Sequence, residues 1–162
     1  MKPLLFILTL CLLAACVEKT SDTKQLQARI DSLEKDIATT YKPGLGEFMS
    51  GIQVHHAKLW FAGLHENWPL AEFEIHEITE AVEDIQKFCM DRPEVKSVEM
   101  IRPAIDSVSR AITQKSPVLF RNSFTLLTTT CNNCHQATEH AFNVVTIPSA
   151  EPVSNQDFKP FN

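Results

Sequence analysis

Glycine is scarce in this chain, four residues in 162, and none of them builds a phosphate-cradling loop. No Ser, His and Asp stand at a spacing that suggests a hydrolytic triad, and no segment repeats. Neither motif is therefore present to argue for nucleotide-dependent or triad chemistry. Positive charge is also short: 15 Lys and Arg stand against 20 Asp and Glu, a formal net charge of −5, which argues against nucleic acid as a partner. The apolar run from Leu4 to Ala15 is too short to span a bilayer. With 44% hydrophobic and 22% charged residues, the remainder suffices for one modest core, and one domain is expected.

What the chain does have is Cys131-Asn132-Asn133-Cys134-His135. Two thiols separated by two residues can reach the two vinyl groups of one haem edge, while the next residue offers an imidazole to the iron. By chance such offsets arise in roughly one chain of this length in a thousand. The alternatives are a reversible Cys-x-x-Cys redox pair or half of a zinc site, and a second ligand pair at zinc spacing is missing. The expected cofactor is one covalent haem c, held by Cys131 and Cys134 with His135 as the proximal iron ligand.

The front of the chain is consistent with export. Lys2 precedes the apolar run, as in a secretory leader. That run ends Leu13-Ala14-Ala15-Cys16, which resembles the lipobox of bacterial lipoproteins, precursors that are acylated on the cysteine and cut before it. An ordinary leader with an incidental Cys16 is the alternative. Under the lipobox reading residues 1–15 are a signal peptide, and Val17 after the cysteine implies no inner-membrane retention. Cys11 leaves with the leader, Cys16 takes lipid and Cys131 and Cys134 take haem. Cys89 is left alone, so export here does not serve a disulfide framework.

Residues 16–44 read as a lipidated tether and an N-terminal helix in which Leu26, Ile30, Leu33 and Ile37 repeat at four, three and four. This narrow stripe suits either packing on the main domain or homodimerisation, and two heptads are too few to establish a coiled coil. Four amphipathic helices should follow within 45–142. The first carries Leu45, Met49, Ile52, His56, Leu59 and Gly63 on one stripe. The second, closed off from it by Asn67-Trp68-Pro69, carries Ala71, Ile75, Ile78, Val82, Ile85 and Cys89. The third carries Val98, Ile101, Ile105, Val108 and Ile112, with Pro103 either in its first turn or kinking it. The last opens at Ser116-Pro117 and carries Phe120, Phe124, Leu127, Cys131 and Cys134. Residues 143–162, rich in proline, read as an irregular tail. The fold class is all-α: an antiparallel four-helix bundle with an extra N-terminal helix.

Such a bundle, with Cys131, Cys134 and His135 near the end of its last helix, resembles the class II c-type cytochromes, the cytochrome c-prime group. The resemblance covers about Leu45 to His140 and implies that same bundle and those same haem-binding residues. The extra helix, the lipobox and the residues after His135 depart from it. The stretch His56-Ala57-Lys58-Leu59-Trp60-Phe61-Ala62-Gly63, with Asn67-Trp68-Pro69-Leu70-Ala71, is also similar to segments of bacterial haem-binding proteins, a likeness that brings no function with it.

In an up-down-up-down bundle the end of the last helix lies beside the start of the first. His56 is therefore the first candidate for a distal iron ligand and Met49 the second, with Met90 and Met100 approaching the same end. An imidazole buried on the stripe needs a partner: iron, a backbone carbonyl or a buried carboxylate. The function expected is membrane-tethered periplasmic electron transfer with an unidentified redox partner protein, anchored at the outer membrane. The alternative is a five-coordinate haem protein that binds nitric oxide or carbon monoxide, and a third reading makes the haem mainly structural in an assembly lipoprotein. No acid-base or nucleophilic set accompanies the iron, so no enzyme is expected. Cys16→Ser should abolish acylation and weaken membrane association in fractionation, since multiple acyl chains hold far more firmly than none; equal association of variant and parent would refute the anchor.

Overall fold

A computed structural model describes residues 22–37, 40 and 43–161. Cys16, the leader and the tether ahead of residue 22 lie outside them. The chain divides at Lys42 and Pro43 into two compact units. In the first, residues 22–37 form helix α1, whose apolar stripe is exposed along its whole length, from Leu26 to Ile37.

The second unit is the expected bundle. Its helices are α2 (Leu45–Leu64), α3 (Trp68–Phe88), the short α4 (Val95–Val98), α5 (Arg102–Thr113) and α6 (Pro117–Ala137), with a 3-10 turn at Glu99–Ile101 between α4 and α5. Packed neighbours are α2 with α3, α3 with α5, α5 with α6 and α2 with α6, and the short turns between consecutive helices make them antiparallel. No strand occurs among the described residues.

Local chemistry sets the breaks. Asn67 caps α3 by accepting from the Leu70 amide at 3.3 Å, and the chain reaches it through Glu66 at φ 57°. Ser116 caps α6 in the same way, accepting from Leu119, with Pro117 as the first helical residue. Both are oxygen side chains satisfying amides that a helix start leaves without partners. Pro103 stands at the second position of α5, where its ring and missing N–H are tolerated. The expected third helix is therefore split into α4, the 3-10 turn and α5, and not kinked as one piece.

The predicted stripes are the core. Ala71, Ile75, Ile78, Val82, Ile85 and Cys89 are buried on α3, and Phe120, Phe124 and Leu127 on α6. Gly63 on α2 has a specific reason to lack a side chain: a Cβ there would stand 2.1 Å from the Phe120 ring. One residue escaped the periodic reading. Glu74 is buried on α3, with a carboxylate oxygen 2.6 Å from His55 Nδ1.

The tail is irregular as expected, but it belongs to the same compact unit as the helices. Phe158 is fully buried, its ring 5.8 Å from that of Phe61. Asn67 Nδ2 donates to the carbonyls of Phe158 and Lys159, each at 3.2 Å. The tail is thus pinned at the turn between α2 and α3. Phe158→Ala should lower stability by about 3 kcal/mol in urea denaturation, as for other buried aromatics; a midpoint unchanged from the parent would show that the tail is not part of the core.

Candidate functional site

At the end of the bundle where α2 begins and α6 finishes lies a cavity of about 320 Å³, within the range of small-molecule sites. It is lined by Met49, Ile52 and His56 from α2, by Cys131, Cys134 and His135 from α6, and by Val82, Val98 and Ile101 between them. No Asp, Glu, Lys or Arg is among its described lining residues. The expected site residues that fall within the described part of the chain are thus brought to one apolar space. Met90 and Met100 are not: they are 79% and 41% exposed and take no part in its wall. An adjoining cavity of about 260 Å³ shares Met49, Cys134 and His135 with the first and adds Arg92, Glu94 and His140.

Cys131 and Cys134 are partly buried and are not joined in a disulfide. Burial, and then the neighbouring Cys134, push the Cys131 thiol up to about 11; burial likewise raises Cys134. Reversible redox pairs show the opposite, a thiol lowered toward neutrality so that the thiolate can attack. Among the described residues no three His, Cys, Asp or Glu side chains converge as metal ligands. Cys131 and Cys134 thus stand as thiols whose ionisation burial opposes, beside the His135 imidazole on an apolar wall.

His135 is oriented by the tail. Its Nδ1 lies 2.6 Å from the Asn143 carbonyl oxygen. A carbonyl only accepts, so Nδ1 carries a proton, and in the neutral ring the lone pair is on Nε2. An imidazole held in this way is preset as a metal ligand through Nε2.

His56 is 3% exposed, and its ring packs against Phe124 at 4.4 Å between centroids. Its polar partner is none of those expected. It is the Thr128 hydroxyl, 2.9 Å from Nε2. The one hydroxyl proton of Thr128 goes to the Phe124 carbonyl at 3.0 Å, so the hydroxyl accepts from His56 and Nε2 carries the imidazole proton. Nδ1 retains the lone pair. No buried side-chain nitrogen or oxygen among the described residues lacks a partner, and the His56 ring is part of the cavity wall. Burial lowers the His56 pKa to about 4, so the ring is neutral at physiological pH. The buried carboxylate nearby, Glu74, serves His55 instead, whose other nitrogen lies 3.9 Å from Glu77. His55 is thereby turned away from the cavity.

Sequence reading missed Thr128 and Asn132; it allowed the tail to lie over the bundle or the haem edge but named none of its residues at the site. Thr128 carried a signal, since it stands four residues after Phe124 and three before Cys131 on the core stripe. Asn132 carried none beyond its place inside the motif. Comparisons with protein families, with curated proteins and with solved structures found no match for this chain, so the use of the site has to be read from its own residues.

Proposed function

We propose that this chain is a monohaem c-type cytochrome of the periplasm, lipid-anchored through Cys16, that transfers electrons to or from a partner protein. The observation that carries the reading is the convergence of Cys131, Cys134, His135 and His56 on one apolar cavity. A bound haem c would supply a one-electron iron couple.

The fit can be argued residue by residue. Cys131 and Cys134 face the cavity as neutral thiols, the form that adds across a vinyl group to make a thioether. His135 presents the Nε2 lone pair, with its other nitrogen already committed to Asn143. Ile52, Val82 and Ile101 give the apolar surround that a flat hydrocarbon macrocycle requires. The class II cytochromes, to which the sequence shows a resemblance, place the same three attachment residues near the end of their last helix.

His56 favours electron transfer over gas binding. A neutral imidazole on the cavity wall would be available as a second protein ligand to the iron, and two protein ligands would leave no position for a small gas. Met49, on the same wall, is the alternative ligand and would raise the potential relative to a second histidine. The gas-binding reading draws on the Thr128 bond, which holds the His56 ring against α6 and would keep it from the iron.

His56→Ala separates these readings. The purified protein should give a low-spin absorption spectrum in both oxidation states, and the variant a high-spin spectrum with new affinity for carbon monoxide. A wild type that is already high-spin and binds carbon monoxide would replace electron transfer by the gas-binding alternative.

A further inference from the structure

The first variable position of the attachment motif, Asn132, is tied to the tail by two hydrogen bonds. Its Nδ2 donates to the Val145 carbonyl at 2.8 Å, and its Oδ1 accepts from the Val145 amide at 2.8 Å. The carboxamide thus pairs with one backbone unit as a neighbouring strand would. Two residues earlier in the tail, the Asn143 carbonyl takes the Nδ1 proton of His135 at 2.6 Å. Val145 itself is part of the cavity wall. Three short bonds therefore join positions 132 and 135 of one helix to positions 145 and 143 of an otherwise irregular segment.

We propose that Asn132 is a positioning residue for the axial ligand: by clamping Val145 it holds the Asn143 carbonyl on His135 Nδ1, and so sets both the tautomer and the donor strength of His135. The tail from Asn143 to Val145 is on this account a functional part of the iron site. The geometry supports this in two ways. An isolated hydrogen bond from a partly exposed histidine to a loop carbonyl competes with water, whereas the paired Asn132 bonds fix that loop at 2.8 Å on both sides. A carbonyl accepting from Nδ1–H also makes Nε2 more basic, which favours the oxidised iron. The proposal rests on the haem reading for its effect on potential and on this chain's own contacts for the tautomer.

The test compares Asn132→Ala, Val145→Pro and Asn133→Ala in the holoprotein. Val145→Pro removes the amide that Asn132 Oδ1 accepts from; Asn133 is an exposed neighbour in the same motif. Asn132→Ala should shift the reduction potential upward and speed solvent exchange of the His135 Nδ1 proton, seen by nuclear magnetic resonance. Val145→Pro should shift the potential the same way, and the double variant no further than the larger single, because both act on one clamp. Asn133→Ala should leave the potential in place. A potential and an exchange rate unchanged by Asn132→Ala, or additive shifts in the double variant, would overturn the proposal. If the wild type carries no covalent haem, the function proposed above fails, and nitrogen shifts of His135 in the haem-free chain decide this inference alone: an Nδ1-protonated ring that becomes a tautomer mixture in Asn132→Ala upholds it, and an identical ring in both overturns it.

Discussion

The hydrogen bond from His56 to Thr128 joins the first helix of the bundle to the last, and the rest of the site follows from it. An imidazole inside an apolar stripe costs free energy unless both its polarity and its charge state are dealt with. Here the charge is removed by burial, which lowers the pKa to about 4, and one nitrogen is satisfied by a hydroxyl whose own proton is already committed to the Phe124 carbonyl. The ring itself forms part of the cavity wall. A polar group that could have been a defect in the core is thereby neutral and hydrogen-bonded where the core meets the cavity.

The two histidines are held in complementary ways. His56 is protonated at Nε2 by its bond to an α6 side chain, His135 at Nδ1 by its bond to the tail backbone. Each keeps one acceptor nitrogen, and both rings border the same apolar space. Held in this way, His56 is already neutral at physiological pH, as a ligand to iron would have to be under the proposed function. If the proposed electron transfer holds, a ligand held in place in advance would keep the reorganisation cost of each transfer low.

Much of the bundle was legible because core faces repeat with the helical period. Ile75, Ile78, Val82 and Ile85 announce a buried stripe, and Ser116 with Pro117 announces a helix start. The placement of Met49 and His56 opposite Cys131 followed from topology alone, since the end of the fourth helix of an antiparallel bundle must return to the start of the first. What could not be read were contacts between segments without a shared period. Asn132 pairs with a tail residue 13 positions away, and Phe158 joins the core from a stretch that is polar and proline-rich around it. Glu74 stayed hidden for a different reason. Its spacing from Ala71 and Ile78 is that of a core residue, but a carboxylate on such a face is read as solvated unless its partner, here His55, is known.

Covalent attachment at Cys131 and Cys134 is the point on which the account stands, because a cavity with thiols and histidines could receive other guests. Denaturing gel electrophoresis with a haem stain, on protein exported in cells able to attach haem, tests it directly. The wild-type band should stain and the Cys131→Ala/Cys134→Ala band should not, at equal amounts of polypeptide. A wild-type band without stain, or a double variant that keeps it, would contradict the account.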